Sequence, residues 1–567
     1  MYSRITLFFL FCLCFFGLKA QNEVVVTDGD LVAGEDYTWE SDKIYILDGI
    51  VAVKAGSKLT IEAGTIVKAL PTPVLGGGNG ATTSALLVAQ GAQIFALGEP
   101  NNPVVFTSSL DDTSLPEDLT YLDRGLWGGV IICGTAPIGN FESPSTLEIA
   151  PLNLPASYGG ESEDDNSGVF QYVSIRHAGA SVTVDVELNG LTLAGIGNKT
   201  VIDHIEVFAG QDDGIAIIGG TVNLKYLNSS FNADDAFDFD EAWTGKGQFW
   251  FGILDKEGEG TALEGDGTRG DDSDIFSKPQ LYNLTFIGQG SELENDVDRF
   301  SRSIYLRDAS GGTLANSVFI EFPNNGLQIE DLPANNGVDS RQRIEDGDLE
   351  ILNNIWWAIG SRTEFSTGDD GILGTRGTEE DSTAQFLIDH LVANQNSITD
   401  PRLNDIDWAN SGTLDPRPAI DGPAYQNLAS YPDDDFFTEV PYKGAFGQNA
   451  EWLFSWSALD EYEMVSAAFS SQTTSAQEVI LATDQIQIYP NPVSNQMTLK
   501  TAIGFDAQQV NLRLTDIMGR EIWNRSEQLS SATQIELSME GINAGNYYLQ
   551  VIGEKQIYVL PVVKIER

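Results

Sequence analysis

The chain of 567 residues is strongly acidic: 83 Asp and Glu residues stand against 31 Lys and Arg, and the formal net charge is −52. This balance argues against a nucleic-acid partner, which would require cationic side chains to neutralise phosphates. Apolar residues make up 42% of the chain, enough for a large core and too many for wholesale disorder. The charge suits either contact with divalent cations or simple solubility.

The first 20 residues have the pattern of a secretory signal peptide. Arg4 precedes an apolar stretch from Ile5 to Leu18, and Ala20 stands before a polar mature start. We predict cleavage after Ala20, which leaves Cys133 as the single cysteine of the mature chain. No later segment approaches the length of apolar sequence that a membrane-spanning helix needs, so the sequence predicts no transmembrane segment.

Short β-branched runs punctuated by glycine follow the signal peptide. In KIYILDGIVAVKAGSKLTIEAGTIVKA they are separated by Gly49, Gly56 and Gly64. Such spacing predicts an all-β architecture and leaves sandwich, propeller and solenoid as alternatives.

A recurring aspartate pair decides between these alternatives. Asp212-Asp213 in QDDGIAI returns 22 positions later as Asp234-Asp235 in NADDAFDF. The same shift aligns three apolar pairs, namely Ile205 with Leu227, Ile215 with Phe237 and Ile217 with Phe239. Twenty-odd residues form about one coil of a parallel β-helix, which stacks equivalent positions about 4.8 Å apart. We therefore predict a parallel β-helix body over residues 21–465 in which Asp238 and Asp240 point outward.

Long loops must interrupt the coils, because the spacing of the other candidate coils is uneven. The acidic, Gly-rich stretches 264–274 and 366–382 are expected to be such loops. The segment from Ala419 to Met464, with Trp452 and Trp456, is expected to cap the open end of the solenoid.

The last hundred residues differ from the body in composition and in residue pattern. Residues 466–485 are polar and small, which indicates a linker. Residues 486–567 alternate short strands with Pro, Gly and Asn turns, which predicts a small immunoglobulin-like β-sandwich.

This tail resembles a known sorting domain. YPNPVSNQ (Tyr489 to Gln496), LTDIMGREI (Leu514 to Ile522) and GNYYLQV (Gly545 to Val551) are similar to the type A C-terminal sorting domain of the type IX (Por) secretion system of Bacteroidetes. The resemblance implies that the tail engages the type IX translocon. It also implies a protein that is secreted or attached to the outer surface of a Gram-negative cell.

The body resembles a group of secreted right-handed β-helix proteins of Bacteroidetes. RGLWGGVIICGTAPI (Arg124 to Ile138), YVSIRHAG (Tyr172 to Gly179) and VPYKGAFGQNAEWLFSW (Val440 to Trp456) carry this similarity. It implies a right-handed parallel β-helix and an extracellular location, but it supplies no reaction and no catalytic residues.

The stacked acids of this solenoid need compensation. Two carboxylates one coil apart repel by roughly 3.5 kcal/mol at an effective dielectric of about 20. Protonation, hydrogen bonds from backbone N–H groups of the turn, or a bound cation could relieve this repulsion. Calcium accepts six to eight oxygens in irregular geometry, so we predict a structural Ca²⁺ site. Its candidate ligands are Asp212, Asp213, Asp234, Asp235, Asp238, Asp240 and Glu241.

The sequence does not decide whether the protein catalyses a reaction. QDDGIAI and NADDAFDF resemble the Asp-bearing coils of polygalacturonases, but in reversed order and without that family's Gly-His-Gly and Arg-Ile-Lys motifs. Outward acids such as Asp238 and Asp240 would lie about 7 Å apart along a strand, near the separation used in inverting hydrolysis. A calcium-dependent lyase would need a base, for which Arg302 and Arg307 are the candidates.

Exposed aromatic side chains are the other candidate binding residues, since an exposed indole stacks on sugar faces. We name Trp243, Trp250 and Trp357 as candidate ligand contacts, and strand alternation predicts that one of Trp356 and Trp357 lies inside. The preferred interpretation is a calcium-stabilised binding or adhesion scaffold for a carbohydrate or surface ligand. The alternative is a polysaccharide lyase or glycoside hydrolase acting on acidic polysaccharide.

Overall fold

The computed structural model describes most of the chain after the predicted signal peptide. The described residues are 22–72, 83–115, 118–139, 143–147, 149, 154–182, 186–258, 260–268, 275–291, 301–323, 325–332, 337–360, 364–365, 373–376, 384–408, 412–448, 452–466, 478–481, 486–502, 508–516, 521–543, 545–552 and 556–565. Outside them lie the predicted signal peptide and parts of both acidic stretches and of the predicted linker, namely residues 1–20, 269–274, 366–372, 377–382, 467–477 and 482–485.

Contacts divide the chain into two compact units, Met1–Ser466 and Ala467–Arg567. The first unit is built from parallel strands whose neighbours along the solenoid come from successive coils. This confirms the prediction of a parallel β-helix.

One face of the solenoid, called face one here, is a parallel sheet of ten described strands. Its interior residues form continuous columns, because Ile215 pairs with Phe237, which pairs with Leu263. The strands are Ile50–Val53, Ala85–Val88, Gly129–Cys133, Leu191–Ile196, Ile215–Gly220, Phe237–Asp240, Leu263–Asp266, Arg302–Arg307, Asn325–Glu330 and Leu373–Arg376.

The other two faces share a second sheet of 17 described strands, since several strands bend and continue from face two into face three. The pairing of Ile205 with Leu227 confirms the 22-residue coil. The strands are Asn22–Val26, Asp36–Trp39, Lys43–Leu47, Lys58–Ile61, Ile66–Ala69, Gln93–Leu97, Val104–Ser108, Gly168–Arg176, Val201–Phe208, Asn223–Ser230, Lys246–Ile253, Gln280–Ile287, Gly312–Ala315, Val318–Phe322, Leu349–Leu352, Ile355–Ile359 and Ser397–Ile398.

Helices and antiparallel strands are few in the described part of this unit. The helical segments are Asp28–Asp30, Ser340–Asp346, Gln385–Ala393, Pro423–Tyr425 and Ala458–Glu461. Two short antiparallel pairs join Ser145–Thr146 to Ser157–Tyr158 and Leu403–Asp405 to Asp415–Pro418.

Stacked apolar side chains fill the solenoid. The largest fully buried side chains include Trp127, Trp243, Trp250 and Trp356. Trp356 is buried while its neighbour Trp357 is partly exposed, which confirms the expectation from strand alternation.

The corner between faces two and three is made by a column of left-handed residues. One residue per coil is skipped in the strand pairing there and has φ between 47° and 59°. The column contains Tyr172, His204, Tyr226, Phe249, Asn283, Asn316 and Asn353. Asparagine tolerates this conformation better than other non-glycine residues, and the bend lets one strand serve two faces.

Residues 427–448 and 452–462 form a strap that runs along this corner and over face three. Asn353 Nδ2 donates to the carbonyl of Asn427 at 2.7 Å, and Asn283 Nδ2 donates to the carbonyl of Tyr442 at 2.9 Å. Asn316 donates to the carbonyl of Ala429 at 2.9 Å and accepts from its N–H at 2.7 Å. The expectation that this segment caps the end of the solenoid is therefore wrong. It follows the side of several coils because their corner amides bond its backbone.

A buried charged cluster holds the far end of the strap. Glu206 is fully buried and accepts from Ser174 Oγ at 2.6 Å and from the N–H of Ala458 at 2.6 Å. Arg176, 1% exposed, donates to Glu461 at 2.6 Å. Burial raises the pKa of Glu206, while nearby Arg176 opposes that shift. The cluster joins the strap to coils that precede it by more than two hundred residues.

The second unit is a small β-sandwich. One described sheet contains Glu478–Leu481, Gln508–Asp516, Glu521–Leu529, Gly545–Ile552 and Gln556–Lys564, and the other contains Ile486–Tyr489, Gln496–Thr501 and Gln534–Ser538. Glu478–Leu481 falls within the predicted linker but pairs in parallel with Gln556–Lys564. That part of the linker prediction is wrong, because the VIL run completes a sheet edge.

We expect Asn316→Ala to lower the free energy of unfolding by about 3 kcal/mol, because it leaves two backbone groups of Ala429 unpaired and places alanine in a left-handed conformation. Chemical denaturation measures this change, and limited proteolysis should cut the strap faster. The control Asn198→Ala removes an exposed amide and should change stability by less than about 0.5 kcal/mol. Equal stability of the two variants would show that the strap does not depend on this contact.

Candidate functional site

The aspartate pairs lie in the turn that leads from face three to face one. Each turn begins with a left-handed residue, Ala209 at φ 57° and Phe231 at φ 58°. The N–H of Gly210 donates to Asn232 Oδ1 at 2.6 Å, which ties one turn to the next. A Cβ on Gly214 would lie 2.1 Å from Ser229 Oγ, so only glycine fits there. These contacts explain why the same turn repeats in successive coils.

The second aspartate of each pair braces neighbouring coils. Asp213 Oδ1 accepts from the N–H of Asp235 at 3.2 Å, and Asp235 Oδ1 accepts from the N–H of Thr261. This supports the alternative that turn aspartates bond backbone N–H groups, although the donors belong to the next coil rather than to the same turn. Asp235 is 6% exposed, so its role is structural.

The first aspartate of each pair faces outward. Asp212 is half-buried and Asp234 is exposed. Together with Asp213 they place one carboxylate oxygen each within 4.8 Å of the others. Calcium–oxygen distances of about 2.3–2.6 Å allow one ion to contact all three oxygens. The donor set therefore fits Ca²⁺, and the prediction of a cation site now rests on Asp212, Asp213 and Asp234.

Repulsion and burial act together on these carboxyls. Burial, followed by the charge of Asp234, raises the pKa of Asp212 to about 7. Burial, followed by the charges of Asp212 and Asp234, raises the pKa of Asp213 well above its usual value. The group thus holds more negative charge than its surroundings stabilise, which a bound cation would relieve.

Four other predicted ligands do not belong to this group. Asp235 is the coil brace, and Asp238 lies on the outer side of face one, where burial and then Asp213 raise its pKa. Asp240 is 8% exposed and accepts from the N–H of Glu241. Glu241 is 1% exposed and accepts from the Tyr158 hydroxyl at 2.9 Å. The seven-residue set was too large, because Asp235 bonds the next coil and the strand carries Asp238, Asp240 and Glu241 away from the turn. Burial of Asp240 also removes the open pair of acids expected for an inverting hydrolase.

Two cationic side chains, Arg302 and Arg307, line the same cleft as Asp212 and Asp234. Arg307 donates to Asp266 at 2.6 Å and pairs with Glu264 at 2.7 Å. These acids hold the pKa of Arg307 above its usual value against the effect of burial, so Arg307 is unsuited to act as a base. The guanidinium of Arg302 lies 4.7 Å from the centroid of the Tyr305 ring. Arg302 also lines the cleft and stays a predicted base.

This cleft, lined by both acidic and cationic side chains, has a volume of about 630 Å³. Its volume lies in the usual range of ligand sites. Its lining consists of Glu187, Gln211, Asp212, Ala233, Asp234, Asp235, Glu257, Gly258, Thr261, Glu264, Arg302, Tyr305 and Arg307.

Two of the predicted aromatic ligand contacts are wrong. Trp243 and Trp250 are fully buried, and their indole N–H groups donate to the carbonyls of Val222 at 3.1 Å and Leu224 at 3.2 Å. Both indoles point into the solenoid core and cannot reach a ligand. Trp357 is partly exposed and stays a prediction.

Sequence reasoning missed part of the cleft. Glu264 was expected in a loop, but Leu263–Asp266 is a strand of face one that pairs with Phe237 to Phe239. The sequence signal that could have predicted this strand is the match of LEGD, Leu263–Asp266, to FDFD, Phe237–Asp240. This match stacks Glu264 on Asp238 in the neighbouring coil. A Cβ on Gly265 would lie 2.2 Å from the Phe239 ring, so glycine replaces the expected apolar residue. Glu187, Glu257 and Tyr305 carried no such signal.

Comparison with known proteins agrees with both units. A pectate-lyase-like β-helix domain model matches residues 30–386, and a secretion system C-terminal sorting domain model matches residues 487–564. No curated protein matches the sequence of the chain. Among the described residues, no helix has both the length and the apolar character needed to cross a bilayer.

The sorting domain assigns the export route. The protein is exported by the type IX secretion machinery, with which its tail interacts, and it is secreted or displayed at the cell surface. The β-helix model covers well over half of the 567 residues. The chain therefore belongs to the family of proteins with a pectate-lyase-like β-helix domain.

Proposed function

We propose that the protein is an extracellular scaffold that binds an acidic polysaccharide through calcium in the cleft of face one. The observation that carries this proposal is the close group of Asp212, Asp213 and Asp234, of which Asp212 and Asp234 line one cleft together with Arg302. A carboxylate-bearing sugar could join the calcium ion of the aspartate group to Arg302, since carboxylate oxygens ligate calcium and accept hydrogen bonds from a guanidinium.

Electrostatics explain why a cation is needed. The net charge of −52 repels a polyanion, and burial followed by neighbouring acids raises the pKa values of Asp212 and Asp213, which disfavours their charged forms. A divalent ion between protein and ligand carboxylates turns repulsion into attraction. Uncharged polysaccharide gains nothing from this arrangement.

A lyase is the second candidate, and the position of Arg302 favours it. Arg302 lines the same cleft as the acid group. Bound calcium would withdraw charge from the uronate carboxylate and so acidify the adjacent C5–H. Arg302, deprotonated, would remove that proton. The electron pair would form a C4–C5 double bond as the C4–O bond breaks, and the leaving oxygen would take up a proton.

Glycan assays with body lacking the sorting domain separate the two candidates. We expect polygalacturonate to be retained in calcium and released by chelator, whereas a neutral glucan is not retained. A lyase would in addition generate unsaturated uronate ends with ultraviolet absorbance, and Arg302→Ala would abolish them while weakening binding only a few-fold. Absence of calcium-dependent retention for every acidic glycan would refute the proposed function.

Calcium should stabilise the protein through the acid group. At about 100 times its Kd, an ion adds about 2.7 kcal/mol, or about 3 °C in Tm for a domain of this size. Asp212→Asn with Asp234→Asn should abolish the shift and raise the Tm in chelator, because the repulsion is gone. The control Glu161→Gln removes an exposed acid elsewhere and should keep the calcium shift. An unchanged shift in the double variant would disprove this cation site.

Stability in chelator should fall as pH rises from about 4 to about 7. The pKa of Asp212 is raised from 3.8 to about 7, so the folded state binds more protons than the unfolded state within this window. The stabilisation is complete below the unfolded pKa and is lost as pH passes the folded pKa. Melting curves across pH should show a shallower fall for Asp234→Asn, which removes a charge acting on Asp212. Identical slopes for the variant and the wild type would contradict this assignment.

A further inference from the structure

A second cavity, of about 300 Å³, adjoins the cleft at Glu187, which lines both. It lies between the outer side of face one and the hairpin of Ser145–Thr146 and Ser157–Tyr158. Its lining consists of Ile131, Ser145, Thr146, Leu147, Ile149, Tyr158, Val186, Glu187, Leu188, Asn189, Thr192, Ile218 and Glu241. A ligand in the cleft could therefore extend one substituent into this cavity.

Two buried polar groups define the chemistry of the cavity. Thr192 is 4% exposed, and its hydroxyl accepts from Asn189 Nδ2 at 3.4 Å. Within the described part of the chain, the Thr192 hydroxyl proton has no acceptor. Glu241 is 1% exposed and presents a carboxylate that the Tyr158 hydroxyl holds at 2.9 Å. The cavity thus offers one hydroxyl donor and one carboxylate acceptor.

Apolar side chains form the remaining walls. Ile131 and Leu188 are buried and belong to one apolar cluster, against which Leu147 and Ile218 pack. The upstream part of face one is therefore apolar on its outer side, whereas Asp238 and Glu264 make the downstream part acidic. A ligand that spans the two cavities needs an acidic part and an adjacent small polar group with an apolar end.

We infer that the second cavity receives the acetamido group of an N-acetylated amino sugar next to the uronate that the cleft binds. This deepens the proposed function and rests on it. The amide carbonyl would accept from Thr192, the amide N–H would donate to Glu241, and the methyl group would cover the apolar walls. A plain hydroxyl would leave the apolar walls uncovered, and an ammonium group would give Thr192 no acceptor.

The test compares two oligosaccharides of equal length in calcium, by titration calorimetry on the intact body. One alternates glucuronate with N-acetylglucosamine, and the other alternates glucuronate with glucose. We expect wild-type protein to prefer the acetamido ligand about tenfold, the effect of roughly one buried hydrogen bond. Thr192→Val keeps the side-chain size and should remove most of this preference. The control Thr60→Val, on a strand of another face, should keep it.

The outcomes separate this inference from the proposed function. Equal affinity of wild-type protein for the two ligands, or an undiminished preference in Thr192→Val, overturns the acetamido assignment and leaves the cleft standing. Polygalacturonate binding without binding of either alternating ligand also overturns it. Failure of all three acidic glycans to bind in calcium overturns both. Far-ultraviolet circular dichroism and an unchanged Tm exclude misfolding of the valine variants.

Discussion

The mutual repulsion of acids stacked one coil apart is the constraint on which the site depends. A parallel β-helix repeats its side chains about every 4.8 Å, so a sequence that repeats aspartate builds a column of negative charge. Two kinds of contact relieve part of this repulsion. Asp213 and Asp235 accept backbone N–H groups of the following coil, and Arg307 neutralises Glu264 and Asp266. In the outward group around Asp212 and Asp234, burial and then the charge of Asp234 raise the pKa of Asp212 to about 7, and a bound cation would relieve that repulsion.

The strap explains why the open site lies on face one. Its aromatic residues pack on the corner, where Trp456 meets the edge of His204, and on face three, where Phe446 meets Phe251. Those surfaces are therefore covered by the chain itself. Face one, in contrast, carries a short hairpin over its upstream half and a cleft over its downstream half. The division leaves an apolar cavity and a charged cleft side by side on face one.

Part of the site could be predicted from the sequence, for a physical reason. Asp212 and Asp234 could be placed together because the coil length converts a shift of 22 positions into contact. Trp250 was misplaced because alternation tells the two faces of a strand apart without saying which one is inside. Trp243 lies in the turn between two strands, where alternation says nothing about burial. Arg302 could not be assigned to the cleft, since irregular loops between coils break the repeat that would have aligned it with the aspartate turns.

Local patterns in the sequence alone determined the all-β class, the coil length, the stacked interior columns and the sorting tail, because each depends on neighbouring residues or on one fixed repeat. The tertiary structure decided what each acid does. In one Asp-Asp pair, the first carboxylate faces the cleft and the second bonds the next coil, a difference set by backbone direction in the turn. It also decided that the strap follows the side of the solenoid, since contacts between Asn316 and Ala429 join residues more than a hundred positions apart.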